Sequence, residues 1–198
     1  EGGAWEYTYE KGLMVKETDP AGVSTIYGYD RVGRVTSVAD MAGNTYSLEY
    51  TAGDRIQKIT NPDGHYRQYE YDAKEHLVGE VDERGYRTAY EYDVNGNLVK
   101  TTDPLRNETN LEYDGEDRLI KVTDARGNSI QLIYDSAGRL VQMKDPLGRA
   151  QKYEYDSASR LKAIYDATGV GVALEYTNMN LPSVIKNMVA ATVSNDYD

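Results

Sequence analysis

Ser129-Ile130-Gln131-Leu132-Ile133-Tyr134-Asp135-Ser136-Ala137-Gly138-Arg139-Leu140-Val141-Gln142-Met143-Lys144-Asp145-Pro146-Leu147-Gly148-Arg149 holds two short extended runs and two turns. In the first run Leu132 and Tyr134 lie two residues apart, so both side chains stand on one face of a strand. A Tyr-Asp-x-x-Gly turn leads into the second run, which opens on Leu140, and an Asp-Pro-x-Gly turn closes it. Each turn has a local reason: an Asp able to bond its own backbone, a proline that fixes φ, and a glycine where the chain turns left-handed.

The stretch is one copy of many. Tyr29, Tyr50, Tyr71, Tyr92, Tyr113, Tyr134, Tyr155, Tyr176 and Tyr197 recur every 21 residues, and Tyr9 precedes Tyr29 by 20. Asp19, Asp40, Asn61, Asp82, Asp103, Asp124, Asp145, Asp166 and Asn187 keep the same period, which places the lost residue between Tyr9 and Asp19. A fixed period of this length is the mark of a repeat architecture.

Two residues before each column tyrosine up to Tyr176 stands Tyr or Leu (Tyr27, Leu48, Tyr69, Leu111), and between them stand glutamates such as Glu49, Glu70, Glu91 and Glu112. That is the alternation of a half-buried strand. At the Tyr-Asp turn the last position is Gly12, Gly33, Asp54, Glu75, Gly96, Asp117, Gly138, Ser159 or Asn180, mostly residues that tolerate positive φ, as hairpin loops closed by a bulge require. Two short connections per repeat leave no room for crossover helices, so consecutive strands are antiparallel neighbours. The expected fold is all-β: tandem 21-residue β-hairpin repeats forming one continuous, curled antiparallel ribbon, a single array of about nine repeats over residues 1–198. Around Pro182 the pattern weakens, and an irregular edge or bulge is expected there.

Composition excludes several functions. The 198 residues carry 22 Lys plus Arg against 33 Asp plus Glu, a net charge of −11 that repels phosphate and argues against a nucleic-acid partner. There is no cysteine, which removes disulfides, thiolate metal sites and a cysteine nucleophile. No apolar stretch reaches the length of a membrane helix. The aromatic content is lopsided, with 19 Tyr, one Trp and no Phe.

The motifs Tyr90-Glu91-Tyr92-Asp93-Val94-Asn95-Gly96-Asn97-Leu98 and Tyr134-Asp135-Ser136-Ala137-Gly138-Arg139-Leu140, with the Asp-Pro-Leu-Gly turns, resemble the YD repeat of the RHS (rearrangement hotspot) family, over essentially all of 1–198. That family includes toxin-complex shell subunits and teneurin-like proteins. The resemblance implies a segment of an RHS-type hollow shell, whose wall encapsulates a C-terminal toxin or effector polypeptide in secreted or cell-surface bacterial proteins. The alternative it leaves open is a cell-surface adhesion or carbohydrate-binding module. The implied partners are the remainder of the same parent chain, with edge-to-edge self-association or a glycan as further ones. Gly2 aligns with Gly22 and Tyr197-Asp198 opens a further repeat, so the chain is expected to start and end mid-repeat as part of a longer array. The family's self-cleaving aspartates have no counterpart downstream of Asp166, and no protease activity is carried over.

Side-chain chemistry favours a structural reading. The column tyrosines suit a packing ladder better than a sugar platform, since successive members stand about 9.6 Å apart across two strands. The aspartates satisfy turns rather than a calcium loop. The glutamates form a solvated face, with Arg34, Arg55, Arg118, Arg139 and Arg160 as their expected partners across the ribbon. His65 and His76, the only histidines, take surface positions. No catalytic, cofactor-binding or metal residue is expected, and the chain reads as no enzyme.

Overall fold

The computed structural model describes residues 3–177 and 182–189, which divide into two compact units, Glu1–Arg106 and Asn107–Asp198. The first contains β1 (Glu6–Glu10), β2 (Leu13–Thr18), β3 (Ser24–Tyr29), β4 (Val35–Asp40), β5 (Thr45–Tyr50), β6 (Ile56–Thr60), β7 (Tyr66–Tyr71), β8 (Leu77–Val81), β9 (Arg87–Tyr92) and β10 (Leu98–Thr102). The second contains β11 (Glu108–Tyr113), β12 (Leu119–Thr123), β13 (Ser129–Tyr134), β14 (Leu140–Lys144), β15 (Ala150–Tyr155), β16 (Leu161–Tyr165), β17 (Val170–Tyr176) and β18 (Pro182–Val189). Within each unit every strand pairs antiparallel with the next in sequence, and no helix occurs among the described residues.

The two turns build two kinds of junction. Across the Tyr-Asp turn, β3 and β4 pair from Thr25↔Asp40 to Gly28↔Ser37, and a bulge then sets Tyr29 opposite Val35. The same shift falls beside Tyr50, Tyr71, Tyr113, Tyr134, Tyr155 and Tyr176. Across the Asp-Pro-x-Gly type of turn the ladder covers three pairs, as in Ser37↔Ser47, Val38↔Tyr46 and Ala39↔Thr45. A bulge bends its strand, so the ladder to the other neighbour stops short of the column tyrosine.

Register also sets a stagger. Val38 lies opposite both Tyr27 and Tyr46, whereas the repeat equivalent of Tyr27 is Leu48. In the second unit Val122 lies opposite Leu111 and Ile130, with Leu132 the equivalent of Leu111. Each repeat therefore advances two residues, about 6.6 Å, along the strands for every 9.6 Å or so across them. Equivalent side chains run in oblique rows, inclined to the strand normal by roughly the 35–45° typical of tilted barrel strands.

Left-handed backbone falls where the turns need it. Asp54, Glu75, Asp117 and Ser159 stand in place of glycine at φ of 59–66°. Such a residue costs about 1–2 kcal/mol relative to glycine, while the Arg55–Glu75 ion pair is exposed and worth little. Glu75→Gly is accordingly expected to raise stability by about 1 kcal/mol, read as a higher urea midpoint. The lost residue lies in the first Tyr-Asp turn, where Glu10 pairs with Leu13 and Lys11–Gly12 form a two-residue turn with φ of 50° and 83°.

Near the carboxyl end the repeat is altered. Asn187, the last member of the aspartate column, sits inside β18 opposite Val172 rather than in a turn, and a register shift separates Glu175 from Tyr176. The turn positions Asn180 and Ala190 and the final Tyr197-Asp198 lie outside the described residues.

The sheet has almost no enclosed interior: among the described residues only Ser24, Gly79, Ala163 and Tyr165 are buried. Close packing is confined to a few local contacts. Gly79 lies beneath the Glu70–Arg87 ion pair, which crosses from β7 to β9 above it. Gly171 lies opposite Tyr165, and a Cβ there would fall 2.1 Å from the Ile164 carbonyl oxygen and 2.8 Å from the Tyr165 ring. Since the first obstacle is backbone, Gly171→Ala is expected to cost about 1–3 kcal/mol, seen as a lower denaturation midpoint.

Candidate functional site

The repeated feature with most of the side-chain chemistry is a circuit that links each Tyr-Asp turn to the next repeat. Asp135 Oδ1 accepts from the backbone N–H groups of Ala137 and Arg139, both at 2.9 Å. Its Oδ2 accepts from Arg139 Nε at 2.7 Å. The Arg139 guanidinium then lies over the ring of Tyr155 on β15, 4.8 Å from its centroid. The Tyr155 hydroxyl donates back to the carbonyl of Leu140, the residue after the arginine, at 2.9 Å. That carbonyl lies past the end of the β14–β15 ladder, so the hydroxyl supplies the partner that the backbone there lacks.

The circuit recurs. Arg34, Arg118 and Arg160 bond Asp30, Asp114 and Asp156 and cover Tyr50, Tyr134 and Tyr176 at 4.6–5.1 Å. Tyr29, Tyr50, Tyr71, Tyr92, Tyr134, Tyr155 and Tyr176 each donate to the carbonyl 15 residues earlier, at 2.7–3.0 Å. The arginines thus do not meet the glutamate face as expected. Their side chains start at the turn, where the aspartate four residues earlier fixes them, and they lean toward the following repeat. Arg55 instead pairs with Glu75 of the next turn. Three of the face glutamates find lysines across the hairpin, Glu49 with Lys58, Glu91 with Lys100 and Glu112 with Lys121, while Glu70 pairs with Arg87 of β9.

Charge follows this geometry. The backbone N–H of Arg139 and its guanidinium hold the Asp135 carboxyl below the usual carboxylate range, and Asp30 and Asp156 behave alike. The Tyr27 hydroxyl donates to Glu17 at 2.6 Å, and that bond, with burial, pushes its pKa up to about 12. Burial, then the nearby Asp72, raises that of Tyr92.

His76 occupies the arginine position of its repeat. Its Nδ1 lies 3.0 Å from Asp72 Oδ2 and its ring stacks on Tyr92 at 4.8 Å, so it is half-buried rather than a plain surface residue. His65 is exposed beside Asp63. The turn aspartates are occupied by backbone N–H groups, and no cluster of three metal-capable side chains exists among the described residues. The sequence reading missed the hydroxyl-to-carbonyl bond, although a column that is always Tyr in a chain without Phe was its signal.

The described concavities lie between neighbouring turns. One of about 800 Å³ is lined by Asp72, His76, Val78, Tyr90, Tyr92 and Asp93 among others. One of about 370 Å³ lies near Tyr86, Arg87 and Asp103, and one of about 340 Å³ near Asp145, Arg149 and Asp166.

Comparison with curated proteins gives no match. Among solved structures the chain is similar to TcdB2-TccC3 without its hypervariable C-terminal region, with a TM-score of 0.79 at 17% identity over 96% of this chain. TcdB2-TccC3-Cdc42 gives 0.77 at 17% identity, also over 96%. The Tc holotoxin pore of Photorhabdus luminescens carrying TccC3-D651A gives 0.58 at 14% identity over 95%. The chain spans about an eighth of those chains, 12–13% of their length. At these identities the likeness is one of fold. The RHS repeat model matches residues 9–45 and 29–66, and the teneurin YD-shell model matches residues 50–188. A strand ribbon of 21-residue hairpins tied by tyrosine hydroxyls and matched by that model over most of its length belongs to the teneurin YD-shell family, a structural family of RHS-type repeats.

Proposed function

We propose that the chain is a stretch of wall in an RHS-type shell that encloses a C-terminal toxin or effector polypeptide of the same parent protein. The observation that carries this reading is the single-layered ribbon itself. Among the described residues its apolar groups are half-covered by neighbours within the sheet or exposed, and almost none is enclosed. Such a layer suits a partition better than a pocket. The likeness to TcdB2-TccC3, a protein with a hypervariable C-terminal region, supports it. The role proposed is exclusion without catalysis, in an exported, secreted or cell-surface bacterial protein, with residues 1–198 acting as one array.

The test is limited proteolysis of the full-length parent protein. The carboxyl-terminal segment is expected to resist protease until the repeats are opened by denaturant. Cleavage of that segment at the same rate as an isolated tail would overturn the reading. Adhesion through sugar stacking is disfavoured because the Tyr50, Tyr134, Tyr155 and Tyr176 hydroxyls are committed to backbone and their rings lie under guanidinium groups. Calorimetry against a glycan panel is expected to give no heat. Edge-to-edge association of the 198-residue chain is expected to appear as concentration-dependent sedimentation.

A further inference from the structure

Three exposed rings lie in a row along β1. Trp5, Tyr7 and Tyr9 alternate onto one face at 53%, 51% and 62% exposure, whereas the column tyrosines from Tyr29 to Tyr176 are half-buried. Trp5 and Tyr7 stack with their centroids 6.4 Å apart. Among the described residues β1 has its ladder with β2, and every residue of the strand is exposed, so its outer edge offers backbone groups for pairing. The Tyr9 hydroxyl has no acceptor among the described residues, while those of Tyr29 and Tyr50 reach the carbonyls of Met14 and Val35. Glu6 has no ion pair there either, and it is the only acid in a sequence column that includes Ser47, Gln68, Asn110 and Gln131. The later repeats show what covers such an edge. On β13, Lys121 of β12 lies opposite Gln131 and Val122 opposite Ile130, Arg118 lies over the Tyr134 ring, and the Leu119 carbonyl accepts from the Tyr134 hydroxyl. Glu6, Trp5 and Tyr9 hold the places of Gln131, Ile130 and Tyr134.

We propose that the outer edge of β1 is a docking site for a hairpin of the same repeat type from the parent protein, selected by a lysine that its second strand sets opposite Glu6. In the register of β12 on β13 that strand would also lay an apolar side chain on Trp5 and an arginine over Tyr9, and would give the Tyr9 hydroxyl its carbonyl. Added-strand pairing supplies the affinity through the backbone, and the alternate side chains supply the choice of partner. A lysine directly opposite Glu6 is an attractive cross-strand pair, and a carboxylate there is a repulsive one. The inference does not rest on the wall reading, since it needs only the edge of β1 and the chemistry of the repeat, and protease cleavage of the carboxyl-terminal segment would leave it standing.

The experiment titrates the 198-residue chain with a synthetic peptide of residues 108–125, which contains no tryptophan, so that Trp5 is the sole indole emitter. Its emission is expected to move to shorter wavelength and to saturate with a dissociation constant below about 1 mM. A peptide carrying Lys121→Glu is expected to bind roughly fivefold more weakly, and the chain variant Glu6→Lys is expected to reverse that preference. Tyr9→Phe removes a hydroxyl that bonds no described residue in the free chain, and is expected to weaken binding by about fivefold. No shift with the peptide, equal response to a scrambled peptide, or a preference that Glu6→Lys leaves unchanged would overturn the proposal. A Trp5 shift that follows the concentration of the chain alone would assign the edge to a second copy and overturn it as well.

Discussion

Tyr155→Ala is expected to destabilise the second unit by about 3 kcal/mol, at the low end for a large aromatic because the ring is half-buried. Three contacts vanish together: the ring packed on the sheet, the cover it gives the Arg139 guanidinium, and the bond to the Leu140 carbonyl. Tyr155→Phe separates them. It keeps the ring and leaves the carbonyl without its donor, for a loss of about 1 kcal/mol. Urea denaturation gives the totals, and amide exchange should place the loosening at β14 and β15, since in a repeat array each element is supported by its neighbours alone. A silent Tyr155→Phe would mean that water serves the carbonyl as well as the hydroxyl does.

Acid is expected to unfold the chain steeply. Asp30, Asp40, Asp63, Asp72, Asp93, Asp114, Asp124, Asp135, Asp145, Asp156 and Asp166 all titrate below the ordinary carboxylate value in the folded chain. The unfolded chain, with carboxyls near 3.9, takes up protons first as pH falls. The contribution of these groups is therefore complete well above about pH 4 and is lost as pH drops through the lower folded values. The thermal midpoint should stay level from neutral pH to about 5 and then fall. High salt should leave much of this dependence intact, because exposed ion pairs are screened while backbone N–H bonds to a carboxylate are short-range. A level midpoint down to pH 3 would show that the caps contribute nothing net.

The strands, their pairing and both turns were legible in the sequence because each is written locally: alternation fixes the face, and Asp, Pro and Gly fix the turns. The lost residue was bounded only between Tyr9 and Asp19, although Gly12 and Gly33, 21 apart, already narrow it to the turn that the structure shows at Lys11–Gly12. Asn187 was aligned with the turn aspartates, yet β18 continues through it, so periodicity alone did not decide between turn and strand there. The arginines were misassigned for a different reason. Their partners depend on where a long side chain leans after it leaves the turn, and that direction is set by the aspartate bond rather than by strand register. The repeated spacing of 16 between Arg34, Arg118, Arg139 or Arg160 and the tyrosine that each covers was visible all along. It acquires meaning only when the bulge and the short ladder are known.

The circuit from turn to arginine to tyrosine to carbonyl spans fixed offsets, and none reaches beyond the adjoining repeat. A duplication or loss of 21 residues at any frame would therefore rejoin the ribbon at a seam chemically like every other. An insertion of one residue within a strand would turn its tyrosine face over. The gene can lengthen or shorten such a ribbon by unequal recombination between its own copies without inventing a new contact, so the number of repeats is open to change while their chemistry is not.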